Sequence, residues 1–184
     1  MLALQTILFV IGSLTLVYIS RKSLSHPSSH GFFRFFAWEA ILAQIMMNLP
    51  VWFREPFSWH QLISWTLLSL SLILALNGFW LLRQVGRPDT QRTGETDLPL
   101  EKTTQLVTIG AYRYIRHPLY SSLILLSWGV FFKYPFWTNA GLSLLITTCL
   151  FATAKAEERE NLRYFGPAYQ DYMKNTRMFL PYIF

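Results

Sequence analysis

Cysteine is nearly missing from this chain: Cys149 is the single one among 184 residues. That excludes an intramolecular disulfide and any cysteine-built metal cluster. Charge is scarce as well, 14% of residues against 52% hydrophobic, a balance foreign to a water-soluble globule and natural for a chain dissolved in lipid. Positions 2–20 hold no Asp, Glu, Lys or Arg at all, and about 20 consecutive apolar residues are what a bilayer-spanning helix needs. No basic stretch precedes that run and no small-residue cleavage pattern ends it. With Arg21 and Lys22 following it, it is read as a first span and not as a signal peptide. Acidic residues number 10 against 16 Lys and Arg, a net charge of +6. The cations stand at the ends of apolar runs, where lipid headgroups lie. A basic soluble domain or recognition motif is missing, so no nucleic-acid partner is expected.

Five apolar runs can be marked, at 2–20, 35–53, 62–82, 119–132 and 136–154. The second contains Glu39, Gln44 and Pro50. The fourth is short unless Trp128, Lys133, Tyr134 and Trp137 sit at the membrane interface. With alternate runs taken as crossings, Arg21, Lys22, Arg34, Arg83, Arg87, Arg92, Lys102, Arg113, Arg116, Lys155, Arg159, Arg163, Lys174 and Arg177 fall on one side. Only Arg54 and Lys133 fall on the other. Cytoplasmic connections are rich in Lys and Arg, which places the first side in the cytoplasm, the N-terminus outside and the C-terminus inside. The expected fold is all-α, a polytopic membrane helical bundle of about five transmembrane helices with a cytoplasmic C-terminal helix. One domain spans 1–184: three N-terminal spans in 1–82, a cytoplasmic loop over 83–118, a helical hairpin over 119–154, and a cytoplasmic helix and tail over 155–184.

Both cytoplasmic stretches exceed simple turns, and loops of such length tend to be functional. The first carries the turn signals Gly86-Arg87-Pro88-Asp89, Thr93-Gly94 and Leu98-Pro99 and is expected to become ordered near Leu106-Val107. The second continues the last span as a charged helix, breaks at Gly166-Pro167 and resumes at Ala168. Tyr112, Arg113, Tyr114, Arg116, His117 and Tyr120 crowd into nine residues at the entry to the fourth run. Pro118 suits a first helical turn, and free N–H groups beside cations favour an anionic ligand group. The bland reading of the same residues is a helix start with headgroup anchors. Glu157-Glu158 lies one turn past the last apolar run. It reads either as part of a solvated helix with Lys155–Glu158 and Glu160–Arg163 pairs, or as an acidic pair placed for a cationic ligand. Glu39 and Gln44 are expected to face the bundle or to lie near its cytoplasmic end, and the aromatics of residues 32–38 to form an interfacial belt. His26, His30 and His60 are expected at the surface, with no metal site. Gly78 and Gly141 are sites where helices could approach closely.

The run from Leu106 through Arg116-His117-Pro118-Leu119-Tyr120, followed by Glu157-Glu158, Phe165-Gly166, Tyr169, Tyr172, Thr176 and Pro181, resembles the C-terminal signature of the isoprenylcysteine carboxyl methyltransferase family. Related membrane phospholipid methyltransferases share that signature. The resemblance implies a membrane methyltransferase using S-adenosylmethionine, bound in a pocket closed by the cytoplasmic loop and the C-terminal helix. It implies that Thr104, Gln105, Leu106, Val107 and Tyr112 line the cofactor. His117, Pro118, Leu119 and Tyr120 would form the second wall, with Glu157 and Glu158 opposite. Physical chemistry suits that assignment: Arg116 and the helix N-terminus match a carboxylate, Glu157 an ammonium or sulfonium, and the Tyr112 and Tyr120 faces a cation. Glu157 and His117 are the expected catalytic residues, acting by positioning without a covalent enzyme intermediate. Glu158, Tyr112 and His117 all remain candidates for taking a proton from the acceptor.

In the prenylcysteine enzymes an arginine one turn before the glutamate pair is associated with the acceptor, and Thr153 stands at that place here. The acceptor is therefore expected to be a lipophilic small molecule or a lipid, among lipid, amine, thiol and carboxylate classes, reached from the surrounding membrane lipids. Two alternatives stand beside this reading. One is a nicotinamide-dependent membrane reductase, since sterol reductases resemble this arrangement in their C-terminal portion. The other is a non-enzymatic membrane protein retaining the fold.

Overall fold

The computed structural model describes residues 2–87 and 103–181. The turn signals expected between positions 88 and 99, together with Arg92 and Lys102, lie outside the described residues. Among the described residues six α-helices follow in order: α1 (Leu2–Leu24), α2 (His30–Asn48), α3 (Trp59–Gln84), α4 (Pro118–Phe131), α5 (Trp137–Phe165) and α6 (Pro167–Asn175). Short 3-10 helices occupy Leu49–Val51 and Gly110–Arg113. Among the described residues there is no strand, and an isolated parallel bridge joins Ile115 and Arg177.

Local chemistry sets the boundaries. Ser29 caps α2 through its hydroxyl, which accepts from Phe32 N at 3.2 Å, satisfying one of the free N–H groups of the first turn. Pro118 starts α4, where its missing N–H is harmless. α5 stops at Gly166, whose φ of +58° opens a left-handed corner that glycine occupies without strain. The chain turns there into Pro167 and α6, the break expected from Gly166-Pro167. Within α1, Thr6 and Thr15 return their hydroxyls to Leu2 O and Ile11 O at 3.0 and 2.8 Å, so lipid-facing positions carry them without an unpaired donor.

Among the described residues three helices are long and apolar enough to cross a membrane: α1, α3 and α5. At 1.5 Å per residue the 29 residues of α5 run about 43 Å, well beyond a hydrocarbon layer of about 30 Å. Its last turns, carrying Lys155 to Arg163, are the polar end. α4 has 14 residues, about 21 Å, and α2 carries Arg34, Glu39, Gln44 and Asn48. Both lean on the longer helices. α1 packs on α2, α2 on α5, α5 on α4 and α4 on α3, so α1 and α3 stand at opposite edges. Gly78 of α3 meets Leu119 Cδ2 at 3.1 Å from the place a Cβ would take, and Gly129 of α4 meets Leu68 Cδ2 at 2.9 Å. These positions bring α3 and α4 close. Gly141, also expected at a close crossing, has open space around it.

The core joins Ala37, Ala40 and Ile41 of α2, Ile146, Leu150 and Ala154 of α5, and Tyr120 of α4 to Met178 and Phe179 beyond α6. Below it lies a polar layer. Gln44 donates to Ser143 Oγ at 2.8 Å and accepts from Ser127 Oγ at 2.9 Å. Asn48 and Asn139 exchange reciprocal amide bonds of 2.9 and 3.1 Å. Glu39 turns instead toward α1, accepting from Ser13 Oγ at 2.7 Å. Among the described cations, Arg54 and Lys133 alone belong to the connections at the Leu49–Ser58 end of the bundle, the separation anticipated from the sequence.

Candidate functional site

The site grows from the other end, where α3 finishes, α4 begins and α5 outruns the apolar layer. Thr104 N and Gln105 N donate to Gly86 O at 2.9 and 3.1 Å, tying the returning chain to the end of α3. Gly110 has φ +59°, and a Cβ there would fall 2.6 Å from Leu81 Cδ1. Only glycine lets the 3-10 helix Gly110–Arg113 sit this close. Val107 and Tyr112 pack with Leu81 in a small second core.

A strap from Thr176 to Phe179 holds the start of α4. Arg116 N donates to Arg177 O at 2.8 Å, His117 N to Met178 O at 3.2 Å, and Arg177 N to Tyr114 O at 3.0 Å. Ser121 Oγ donates to Phe179 O at 2.9 Å. From α6, the Tyr172 hydroxyl donates to Tyr112 O at 2.6 Å. Burial raises the phenols of both Tyr169 and Tyr172 above the usual tyrosine value. For Tyr169 the charges of Glu157 and Glu158 add to the effect, while for Tyr172 the Arg116 charge opposes it.

Arg116 and Glu158 form the buried charge pair of the site, Nε to Oε1 at 2.7 Å, with side chains 9% and 4% exposed. Arg116 Nη1 spends its two hydrogens on Thr176 O at 2.6 Å and Met173 O at 3.3 Å. Lys155 adds a second cation to Glu158 at 3.2 Å. A buried carboxylate needs such partners. The carboxylate-binding role expected of Arg116 is thereby reduced to Nη2, the donor these bonds leave over.

His117 is the unsatisfied member. Its imidazole is buried and stacked on Tyr120, with ring centroids 5.4 Å apart and planes 16° from parallel. Nε2 lies 3.6 Å from Glu158 Oε1 and Nδ1 lies 3.8 Å from Glu157 Oε2, both beyond hydrogen-bond reach. Nε2 is a buried nitrogen without a bonded partner among the described residues. Groups left this way in a native fold call for a ligand, water or proton-carrying role. Glu157, 25% exposed, accepts from Asn161 Nδ2 at 3.5 Å.

These groups surround one small cleft, with about 400 Å³ of free space when its open mouth is counted. Of the residues expected from the sequence, Tyr112, Arg116, His117, Leu119, Tyr120 and Glu157 line it. Thr104, Gln105, Leu106, Val107, Pro118 and Glu158 stand behind the wall: Thr104 and Gln105 as backbone ties, Val107 in the second core, Pro118 as helix starter, Glu158 as partner of Arg116. Leu82 and Thr103 also line the cleft and escaped the sequence reading. Leu82 passed as the end of a span, and Thr103 lies one residue before the recognised stretch.

Two smaller expectations change. His30 is buried, its Nδ1 2.8 Å from Glu160 Oε1, so it ties α2 to the polar end of α5, and the expected Glu160–Arg163 pair is absent among the described ion pairs. Thr153 is fully buried and returns its hydroxyl to Cys149 O at 2.8 Å. Nothing cationic occupies that place.

No curated protein and no solved structure matches the chain significantly. A family model described as phospholipid methyltransferase matches residues 59–168, more than half of the 184. The match runs from the first residue of α3, through the cleft-lining Tyr112, His117, Tyr120 and Glu157, to just past Gly166. With the cleft and its acidic and aromatic walls inside that span, the chain belongs to the phospholipid methyltransferase family.

Proposed function

We propose that the cleft binds S-adenosylmethionine and transfers its methyl group to an acceptor dissolved in the membrane. The observation that carries this reading is the opposition of Glu157 to the His117–Tyr120 wall across one hollow, with a buried imidazole nitrogen left unpaired. The residues fit the cofactor's charges: a carboxylate at the cleft for its cationic groups, aromatic faces beside it, and Arg116 Nη2 near the N-terminus of α4 for its carboxyl end. When bound, the cofactor supplies a methyl group activated by a positively charged sulfur.

The protein's own part is alignment and exclusion of water. Glu157 orients, and the Tyr120 ring, backed by His117, supports the opposite side. His117 Nδ1, 3.8 Å from Glu157 Oε2, would take the acceptor's proton, and Glu157 would balance the resulting imidazolium. Thr153 in place of a cation favours a lipid, amine or thiol acceptor over a prenylcysteine carboxylate. We further place five crossings in the bilayer, α1 to α5, with the cleft on the cytoplasmic side, where the cations gather.

The test is ligand-induced stabilisation of the detergent-solubilised protein, followed by transfer of labelled methyl into a total lipid extract. S-adenosylhomocysteine should raise Tm as ligand linkage requires, and NADPH should not. Glu157→Gln should leave the unliganded Tm in place and slow methyl transfer about a hundredfold, the scale of a misaligned reaction. A Tm shift with NADPH alone, or equal transfer by the variant, overturns the reading.

A further inference from the structure

A second hollow lies beside the cleft, formed by α5, α6 and the strap. Arg116, Lys155 and Arg177 line it, with Phe151, Met173 and Met178 as its apolar part, and its free space is about 630 Å³ counting the open mouth. All three charged groups on its wall are cations. The acid nearest to them, Glu158, neutralises one charge while bonded to both Arg116 and Lys155. Arg177 is exposed and has no ion-pair partner among the described residues, although its backbone is fixed on both sides by the strap. Lys155 is 46% exposed. The hollow thus keeps excess positive charge on a rigid frame.

Its position selects the ligand. Phe151 sits one turn before Lys155 on α5, where the apolar run ending at Ala154 gives way to charge. The apolar part is therefore continuous with the lipid-facing helix, and the cations stand immediately beyond it. A ligand that fills both parts carries an anionic phosphate next to hydrocarbon. A soluble phosphate leaves Phe151 and Met173 uncovered, and an acidic peptide has no reason to follow α5 into the apolar layer.

We propose that this hollow is a headgroup site for an anionic membrane phospholipid, with Lys155 and Arg177 holding the phosphate and Phe151, Met173 and Met178 covering the glycerol and upper chains. The site is separate from the methyl-transfer cleft but shares Arg116 with it, so an occupied headgroup site bears on the residue that fixes Glu158 and the strap.

Native mass spectrometry of the full chain released from micelles, titrated with phosphatidylglycerol, tests this directly. The expected result is a lipid adduct whose apparent affinity falls roughly tenfold or more in Lys155→Gln/Arg177→Gln, since each cation near an anionic membrane surface contributes about 1 kcal/mol. Arg177→Gln alone, which removes no internal bond, should fall several-fold. The control Arg21→Gln/Lys22→Gln, at the end of α1, should keep the adduct, and so should Glu157→Gln, which separates this site from methyl transfer. Equal loss in both double variants, retention in Lys155→Gln/Arg177→Gln, or binding of inorganic phosphate without any lipid adduct overturns the proposal.

Discussion

The two ends of the bundle handle buried polarity in opposite ways. At the Leu49–Ser58 end nearly every polar group described has a tight partner. Asn48 and Asn139 pair amide to amide, Gln44 joins Ser127 and Ser143, and Lys133 donates to Gln61 Oε1 at 3.0 Å beneath the Trp65 ring. At the other end Arg116 and Glu158 are equally well bonded, yet His117 between them and Glu157 is left without a hydrogen bond from its ring. Satisfied polar groups lock helices in register. An unsatisfied one beside a cleft leaves a buried nitrogen open to a ligand, a water or a proton.

That contrast can be broken at three points. The largest effect is expected from Arg116→Met, which leaves Glu158 buried with Lys155 alone and frees the carbonyls of Met173 and Thr176. Loss of one partner from a buried pair costs about 3–5 kcal/mol, and equilibrium unfolding in mixed micelles should read a drop of that size. Gln44→Leu comes next. It removes the side-chain bonds of Gln44 to Asn139 O, Ser143 Oγ and Ser127 Oγ, and with transmembrane hydrogen bonds averaging about 0.6 kcal/mol each, the loss should be about 1–2 kcal/mol. Because the polar layer is remote from the cleft, KM for S-adenosylmethionine should stay unchanged, and a raised KM would dissolve the distinction between the ends.

Tyr172→Phe is the smallest change and the sharpest. It removes one bond to Tyr112 O, worth about 1 kcal/mol, but from a carbonyl whose residue lines the cleft, so KM should rise several-fold with little loss of kcat. Its pH signature is distinctive. The folded state holds the Tyr169 and Tyr172 phenols above the ordinary value, so their contribution is complete below about pH 10 and fades as the pH climbs beyond it. Tm of the parent protein should therefore decline on the alkaline side, and Tyr172→Phe should decline less.

Much of this was legible in the sequence, for identifiable reasons. The three described helices able to cross a membrane follow from long uncharged runs, the break after Phe165 from Gly166-Pro167, and the cleft's two walls from the stretch His117 to Tyr120 and from Glu157. What stayed hidden is carried by backbone atoms or by pairs distant in sequence. Arg116 reads as a ligand-binding cation because its partners at Met173 and Thr176 are main-chain carbonyls, which no residue type announces. His30 reads as a surface histidine because Glu160 lies 130 positions away. Glu158 reads as a second cleft carboxylate, since adjacent glutamates look alike until the helix turns one toward the hollow and the other toward Arg116.

The strap also sets an order of events during biosynthesis. Sixty positions separate Arg116 from the Thr176 carbonyl that anchors it, so α4 and α5 are both complete while the cleft's floor is still unpinned. Only once the ribosome has made Phe179 and those residues have cleared its exit tunnel can the entrance to α4 take its final shape.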